Sequence, residues 1–387
     1  MPMRVCLDGR SLSAGAVNGT SVYAVELIRH LPPSVEVAVL AGSPAQRAAL
    51  AALRVRTVLE VPDCDIFHRL SQFYPPASLD LFLQTRAQPV ITWLDLISFR
   101  TPALFHSEAL HREYRAMSFA SLHAAQAVLA ISAHARREII DTFGLPEDRV
   151  HDIHLGVDAA HFGTRDARKN VEVLRRHGLE SPYFFCSGSD YPHKNLGALL
   201  RGYAWLRLSW NGPAPVPELI LIGTPSGAPG GIFLLGGAPA PGVRYLGAVG
   251  RDEVPALYQE ALAFVYPSTY EGFGLPILEA MAAGTPVLCS RLTAVPEVAG
   301  DAALYLDDFS LDDFARQLRA LATDPALRLR LIAAGRQRAQ QFRWEETARK
   351  TAEVYGQVLA QPAPDALLRR QLISQLTALD WGAPPRP

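Results

Sequence analysis

Short apolar segments with β-strand character alternate with helical patterns along most of this chain, and that alternation restricts its fold more than any other feature. The predicted strands of the first half are Arg4–Asp8, Val35–Ala41, Asp65–His68, Pro89–Leu94 and Ala127–Ile131. Helical patterns lie among them near Thr20–Leu31, Phe105–His123 and Ala133–Phe143. Because repeated strand–helix pairs need crossover connections, the sequence predicts a mainly parallel, doubly wound sheet.

The same alternation resumes in the second half of the chain. Its predicted strands are Tyr183–Ser187, Glu218–Gly223, Val243–Leu246, Ala263–Tyr266 and Pro286–Cys289. A length of 387 residues suits two domains. We therefore predict an α/β architecture of two Rossmann-like domains, residues 1–175 and 176–344, that face each other across a cleft. A C-terminal helix within 345–387 is expected to pack back on the first domain.

Composition excludes several classes of protein. Hydrophobic residues make up 49% and charged residues 19% of the chain, which is typical of folded rather than disordered proteins. The formal net charge of −1 gives no overall attraction to nucleic acid, so no nucleic-acid partner is expected. The segment Leu219–Val243 is uncharged, but glycine and proline interrupt it, so it predicts a strand and a loop rather than a membrane helix.

The cysteines and the N-terminal residues indicate the cellular compartment of the protein. The four cysteines show no CxxC spacing, and three of them lie inside apolar strand-like runs. We expect reduced thiols rather than a zinc site. The first residues contain no apolar run long enough for a signal peptide. The sequence thus predicts a cytoplasmic protein, and peripheral contact with the inner face of the membrane stays open.

The densest chemical signal is the segment Tyr266–Val287. A strand is followed by a loop that carries Glu271 between glycines, and Pro276 suits the first turn of the next helix. The free N–H groups and the dipole of that helix favour an anion such as a diphosphate. Glu279 lies about one turn into the helix, so the two carboxylates can serve different parts of an elongated ligand. Either glutamate alone could simply complement the helix dipole.

Residues 271–287, EGFGLPILEAMAAGTPV, resemble the E-x7-E region of the retaining glycosyltransferases of family 4, which have the GT-B fold. The resemblance implies that Glu271 lies beside the donor sugar and that Glu279 holds the nucleotide ribose. It further implies that the loop contacts the sugar or the diphosphate through Gly272, Phe273, Gly274 and Leu275.

A second segment, SGSDYPHKN at residues 187–195, resembles the family motif G-T/S-x-x-P-R-K-N. The resemblance implies that Lys194 binds the donor diphosphate as a compact cation, with Ser189 in the same binding loop. Only three of the 37 basic residues are lysine, which agrees with a specific need for lysine here. His193 stands where the family often has an arginine, so one phosphate contact is expected to be weakened or pH-dependent.

The resemblance continues to about residue 360. The segment DGRSLSAGAVNGTSVYAVELIRHL resembles the family's opening, in which the loop after the first strand, here with Gly15 and Gly19, approaches the diphosphate or the acceptor. Relatives pack the nucleotide base near Leu246–Val249. The same opening lacks G-x-G-x-x-G, which argues against a nicotinamide-dependent dehydrogenase.

One position departs from the family pattern. Relatives carry a histidine close to the donor sugar at the end of a strand in the N-terminal domain, and Leu94 occupies that place here. Leucine cannot donate a hydrogen bond. Either another polar group, namely His68, His106 or Asp95, serves the sugar, or turnover is impaired.

These observations predict a retaining, metal-independent hexosyltransferase that acts in polysaccharide or glycoconjugate synthesis. Its donor would be a nucleotide diphosphate sugar, with mannose as a candidate hexose, and its acceptor a saccharide or a lipid-linked acceptor. The candidate catalytic residues are Glu271, Lys194 and Asp95. Lys194 and the helix N-terminus would stabilise the departing diphosphate, so we expect neither a metal nor a cofactor. The pair Asp307–Asp308 is interpreted as a turn and a helix cap.

Two other interpretations remain open at the level of the sequence. Leu94 is compatible with a non-catalytic paralogue that binds nucleotide sugar or saccharide as a partner subunit. A sugar-nucleotide epimerase or a phosphorylase of the same two-domain type is the other alternative. Release of a nucleotide diphosphate, and its dependence on an acceptor, distinguishes the three.

Overall fold

The computed structural model describes residues 2–12, 19–72, 85–180, 182–223 and 240–362, together with Phe82 and Gln371. The chain divides into two compact units. The first unit comprises the described residues up to Gly156 and those from Trp344 onward, and the second unit comprises Val157–Arg343.

The first unit is built on a seven-stranded parallel sheet with the order β3-β2-β1-β4-β5-β6-β7. Its strands are β1 (Met3–Asp8), β2 (Val35–Leu40), β3 (Arg56–Val58), β4 (Ile66–Arg69), β5 (Gln88–Trp93), β6 (Ala127–Ala130) and β7 (Val150–Asp152). Its helices are α1 (Gly19–His30), α2 (Pro44–Ala51), α3 (Ile97–Arg100), α4 (Glu108–Ala124), α5 (Ala133–Phe143) and, from the C-terminal part, α14 (Trp344–Leu359).

Local sequence explains where these helices begin and end. The hydroxyl of Ser132 accepts the N–H of Ala135 at the start of α5, and Gly144 ends the helix with a φ of 66°. Ser107 caps α4 in the same way. The central strands β4, β5 and β6 are buried along their whole length, as expected for a parallel sheet covered on both faces.

The second unit is built on a six-stranded parallel sheet with the order β10-β9-β8-β11-β12-β13. Its strands are β8 (Tyr183–Ser187), β9 (Glu218–Ile222), β10 (Val243–Tyr245), β11 (Ala263–Tyr266), β12 (Val287–Cys289) and β13 (Leu304–Tyr305). Its helices are α6 (Ala159–Gly163), α7 (Ala167–Arg176), α8 (Leu196–Leu208), α9 (Val254–Gln259), α10 (Leu275–Ala283), α11 (Val295–Ala299), α12 (Leu311–Thr323) and α13 (Pro325–Ala339).

The core of the second unit centres on the contact of α8 with α12. Gly202 of α8 lies directly against Phe314 of α12, and a Cβ at residue 202 would come within 2.4 Å of the Phe314 Cβ. The absence of a side chain at Gly202 therefore lets the two helices approach closely. Leu199, Tyr203 and Leu318 complete this part of the buried cluster.

Both parallel α/β sheets were predicted from the sequence, and the fold class is confirmed. The boundary between the units differs from the predicted one, since it follows Gly156 rather than residue 175. The helix α7 joins the second unit because Asn170 donates through Nδ2 to the Gln259 side chain of α9 at 2.9 Å. Arg176 at the end of α7 also pairs with Glu253.

Within the predicted 345–387 segment, the described helix is α14, and it packs against α1 in the first unit. Most of the residues beyond it, and Gly15, lie outside the described part of the chain. The described residues contain no helix that combines the length and the hydrophobicity needed to cross a membrane.

A buried ion cluster joins the ends of β1 and β4 in the first unit. The carboxylate of Asp8 is fully buried and accepts from Arg69 at 2.7 Å and from Arg10 at 2.8 Å. Burial alone would raise the pKa of Asp8, but the two guanidinium groups outweigh it and lower that pKa. The cluster therefore holds the carboxyl-terminal edge of the sheet with Asp8 ionised.

We expect Arg69→Met to destabilise the first unit by about 3 kcal/mol, because the substitution leaves the buried Asp8 charge with one partner fewer. The matched control is Arg4→Met. Arg4 pairs with Asp63 and Asp65, but its side chain is 46% exposed and solvent screens the pairs, so this substitution should cost much less than Arg69→Met. Urea unfolding of the full chain measures both variants, and equal midpoints for the two would contradict this account.

Candidate active site

The structure joins two of the predicted site residues, Lys194 and Glu271, in an ion pair. Lys194 ends a short 3-10 turn after β8, and Glu271 lies in the loop between β11 and α10. The Lys194 Nζ lies 2.7 Å from the Glu271 Oε1. The two side chains are 19% and 10% exposed, so the pair is mostly shielded but still reached by solvent.

The ion pair occupies a distinctive place in the sheet. The strand order reverses between β8 and β11, since β9 and β10 lie on one side and β12 and β13 on the other. In open α/β sheets, ligands bind outside the carboxyl ends of the strands at this reversal. Lys194 and Glu271 follow the two strands that flank it. The topology thus makes this edge the candidate ligand site of the second unit.

The charges of the pair stabilise each other. Burial opposes ionisation of Glu271, but the adjacent Lys194 ammonium group, which also donates a hydrogen bond to the carboxylate, outweighs burial and lowers the pKa of the carboxyl. Lys194 also donates to the Tyr266 hydroxyl at 3.2 Å, and its Nζ lies 5.2 Å from the centre of that ring. At neutral pH the site therefore presents an ionised carboxylate and an ammonium group side by side.

Backbone and side-chain hydrogen bonds hold the two loops together. The N–H of Thr269 donates to the carbonyl of His193 at 2.7 Å. Asn195 donates through Nδ2 to the carbonyl of Pro267 at 3.3 Å. Asn195 itself has a φ of 54°, a left-handed conformation that asparagine tolerates better than most residues. The positions of Lys194 and Glu271 are thus coupled through the backbone as well as through their side chains.

The helix α10 begins directly after the Glu271 loop, as the sequence predicted. Gly274 precedes it with a φ of 110°, and Pro276 lies in its first turn. A side chain at Gly274 would be strained in this backbone conformation. The N-cap residue Gly274 has no side chain with which to cap the first N–H groups of α10. These amides carry the partial positive charge of the helix N-terminus, so they can hold an anion next to Lys194.

Glu279 lies one turn into α10 and contacts a buried tyrosine. The hydroxyl of Tyr258 donates to the Glu279 Oε2 at 3.3 Å, and it lies 3.4 Å from the hydroxyl of Ser187 at the end of β8. Burial raises the pKa of Glu279 to about 7. Glu279 therefore changes charge near neutral pH, whereas Glu271 stays ionised.

The loop after β8 also contains Ser189 and His193. Ser189 follows Gly188, and Gly188 donates its N–H to the carbonyl of Ile222 in β9. Burial and the nearby Lys194 lower the pKa of His193 to about 4, so this imidazole is neutral at physiological pH. The weakened or pH-dependent phosphate contact at His193 stays a prediction. The carbonyl of Gly247, in the segment Leu246–Val249, accepts the N–H of Gly223 at 3.0 Å.

In the first unit the structure bears on one of the polar groups that could replace the family histidine. His68 is fully buried between the hydroxyls of Tyr355 and Thr92, at 2.6 and 2.8 Å, and burial lowers its pKa to about 3. It is a core histidine, so the structure argues against His68 as the group that serves the sugar. His106 is exposed, whereas Leu94 and Asp95 are partly buried just after β5.

The other predicted positions have local roles. Asp95 accepts the N–H of Ile97 at 2.9 Å and so shapes the start of α3. Gly19 is the first residue of α1, and among the described residues a Cβ there would meet no atom within 4 Å. Asp308 accepts the N–H of Ser310 at 2.9 Å, and Asp307 pairs with Arg316. Asp307 and Asp308 thus shape the chain before α12, but the predicted cap is wrong, because the N-cap is Ser310, whose hydroxyl accepts the N–H of Asp313.

Sequence reasoning missed three contacts of this site. Tyr258 and Tyr266 contribute the hydroxyls beside Glu279 and Lys194, and Thr293 accepts the N–H of Glu271 at 2.9 Å. Tyr266 is the last residue of β11, and its place at the end of a strand was a usable signal. Nothing in the local sequence around Thr293 indicated its contact.

Comparison with known proteins assigns the family. The description "Glycosyl transferases group 1" matches residues 175–338, and "Glycosyltransferase Family 4" matches residues 17–161. The O-antigen chain mannosyltransferase B of Escherichia coli is 34% identical over 279 residues, which cover 71% of this chain and 72% of that protein. The chain belongs to glycosyltransferase family 4. It is a glycosyltransferase with the two parallel-sheet α/β units of the GT-B fold.

Other relatives match a smaller share of their own length. The serotype-specific mannosyltransferase WbdA of Escherichia coli is 27% identical over 268 residues, 68% of this chain and 33% of that protein. The MMP alpha-(1->4)-mannosyltransferase of Mycolicibacterium hassiacum is 30% identical over 241 residues, 61% of this chain and 55% of that protein.

Solved structures share the fold at low sequence identity. The crystal structure of HepE from Anabaena in complex with UDP and glucose has a TM-score of 0.70 at 16% identity and covers 92% of this chain and 99% of that one. The glycosyltransferase WaaG, involved in lipopolysaccharide biosynthesis, has a TM-score of 0.58 at 14% identity and covers 91% of this chain and 99% of that one.

The raised pKa of Glu279 predicts a pH-dependent stability. The pKa of this carboxyl is about 7 in the folded chain and 4.5 without the fold, so the folded state binds more protons between these values and loses stability as the pH rises through them. Glu279→Gln should remove on the order of 2 kcal/mol of this dependence. Urea midpoints of both proteins from pH 5 to pH 8 test the prediction, and parallel curves would contradict it.

Proposed function

We propose that this glycosyltransferase moves a hexose, with mannose as the first candidate, from a nucleotide diphosphate sugar to a hydroxyl of a saccharide or a lipid-linked acceptor. The observation that carries the proposal is the Lys194–Glu271 pair beside the uncapped N-terminus of α10. A cation and free amides suit a diphosphate, and an adjacent carboxylate suits sugar hydroxyls. A nucleotide sugar has these two parts in sequence.

On this proposal, Lys194 binds the diphosphate and Glu271 orients the sugar. The departing diphosphate gains negative charge as the sugar leaves, and the ammonium group and the α10 amides stabilise that charge. Neither group has to move into place, because the ion pair and the loop contacts already fix them. Glu279 lies farther along α10 and is proposed to hold the ribose.

We propose retention at the anomeric carbon by a same-face displacement, in which the departing diphosphate helps to deprotonate the acceptor hydroxyl. The family resemblance supports retention. Positive charge from Lys194 and the helix N-terminus supports a reaction that needs neither a divalent metal nor a cofactor. An anomeric NMR spectrum of the product, and activity in the presence of a chelator, test these two parts separately.

The relatives narrow the substrates to be tested first. O-antigen chain mannosyltransferase B and WbdA both carry mannosyltransferase names, which supports mannose as the transferred sugar and a growing polysaccharide as the acceptor. HepE was solved with UDP and glucose, which supports a nucleoside diphosphate sugar as the class of donor. A panel of nucleoside diphosphate hexoses that includes UDP-glucose and GDP-mannose covers both.

One observation favours a second candidate function. Leu94, where the family has a histidine, presents only an aliphatic side chain just after β5. A non-catalytic paralogue that binds a nucleotide sugar as a partner subunit would tolerate this change. Acceptor-dependent release of a nucleotide diphosphate supports the transferase, whereas donor binding without any release supports the paralogue.

Lys194→Ala should weaken binding of the nucleotide sugar about 10-fold to 100-fold, because it removes a charge-assisted contact to the diphosphate. Lys169→Ala is the matched control, since Lys169 lies on the exposed face of α7 and pairs only loosely with Asp252 at 3.7 Å. Calorimetric titration of both variants with the donor panel measures the effect. Equal affinities in the two variants would rule out the diphosphate role of Lys194.

The two glutamates should differ in what they contribute. Glu279→Gln should reduce nucleotide affinity more than turnover, because its carboxylate is assigned to the ribose. Glu271→Gln should reduce kcat more than affinity, because its carboxylate is assigned to the sugar. Nucleotide titration and initial-rate kinetics on the same preparations give both quantities. The reverse ranking would exchange the two roles.

A further inference from the structure

Thr293 has an unusual backbone conformation for its residue type. Its φ of 53° lies in the left-handed region, where a β-branched side chain is disfavoured by contacts with the backbone. Three other described residues besides glycine have a positive φ: Arg54, Asn195 and Phe309. Of the four, Thr293 alone is β-branched. A conformation of this kind persists only where the surroundings impose it.

The surroundings of Thr293 include the loop of the candidate active site. Thr293 lies between β12 and α11, in a turn where Val295 donates its N–H to the carbonyl of Leu292. From there its Oγ1 accepts the N–H of Glu271 at 2.9 Å. The strands β11 and β12 are parallel neighbours, so this bond joins two loops at the same edge of the sheet.

The bond acts on the backbone of the residue whose side chain pairs with Lys194. Glu271 is held at its amide by Thr293 and at its carboxylate by Lys194, which are on different loops. Gly272 and Gly274 follow Glu271, and glycines give a loop more conformational freedom than other residues do. Two fixed points on Glu271 therefore limit where its carboxylate can lie.

We propose that Thr293 is a positioning residue: its left-handed backbone aims the hydroxyl at the Glu271 amide, and this contact fixes the carboxylate that acts on the donor sugar. The role in catalysis rests on the proposed transferase function. The role in fixing the Glu271 loop rests on the hydrogen bond alone. A glycine would adopt this turn with less strain. The hydrogen bond from the Glu271 amide to the Thr293 hydroxyl therefore gives a reason for a threonine at this position.

Three substitutions separate the hydroxyl from the backbone strain. Thr293→Ser keeps the hydroxyl. Thr293→Val keeps the shape and the strain but removes the hydroxyl, and Thr293→Gly removes both the hydroxyl and the strain. Arg54→Gly is the control for strain relief elsewhere, because Arg54 is exposed in a turn of the first unit with a φ of 52°.

The first readout needs no substrate. Hydrogen exchange of the Glu271 amide, followed by NMR on glutamate-labelled protein, should become about tenfold or more faster in Thr293→Val and Thr293→Gly. Thr293→Ser and Arg54→Gly should exchange at the rate of the natural protein. Unchanged exchange in Thr293→Val would overturn the inference, and so would a Thr293→Ser variant that exchanges as fast as Thr293→Val.

The second readout is transfer from a nucleoside diphosphate hexose. We expect kcat to fall about tenfold in Thr293→Val and Thr293→Gly with a nearly unchanged donor KM, because a misplaced Glu271 affects the chemical step more than binding. Thr293→Ser should keep kcat. A full kcat in Thr293→Val would overturn the catalytic role.

If the natural protein transfers no sugar, the proposed function fails, and hydrogen exchange of the Glu271 amide still decides whether Thr293 fixes the loop. If Thr293→Gly does not fold, the Val and Ser variants decide.

Discussion

The ion pair between Lys194 and Glu271 is the interaction on which the candidate active site depends. It joins the loops after β8 and β11, and the hydroxyl of Thr293 connects the loop after β12 to the same glutamate. The loops that follow three neighbouring strands, β8, β11 and β12, thus meet at Glu271. Because the charges of the pair sustain each other, a change at any of these loops alters the electrostatics of the site as well as its shape.

The first unit places an ion pair at the equivalent point of its own sheet. Its strand order reverses between β1 and β4, and Asp8 and Arg69 end these two strands. Asp8, however, is completely buried and also pairs with Arg10, so its carboxylate is fully occupied by contacts within the fold. Lys194 and Glu271 remain partly exposed. The same topological position therefore holds a buried ion pair in one unit and a partly exposed one at the candidate active site of the other.

The sequence predicted those features that depend on neighbouring residues. It did not predict those that depend on contacts between residues far apart in the chain. The strand–helix alternation predicted both sheets, and the glycines and Pro276 predicted the loop and helix around Glu271. The domain boundary was wrong because α7 is assigned by its contact with Gln259, 89 residues away. The alternative that His68 serves the sugar could not be judged for the same reason, since Tyr355, 287 residues away, makes it a core residue. The contact of Thr293 depends equally on tertiary structure.

The geometry also suggests why the two halves of a donor would be recognised together on the proposed function. Without ligand, the positive charge of Lys194 is balanced by the negative charge of Glu271, so the pair has no net charge. A diphosphate that takes a share of the Lys194 donors leaves the largely buried Glu271 carboxylate less stabilised. Sugar hydroxyls that donate hydrogen bonds to Glu271 replace the stabilisation that the carboxylate has lost from Lys194. A nucleoside diphosphate without its sugar leaves this carboxylate short of donors, so the site favours the intact nucleotide sugar over the product of its own reaction.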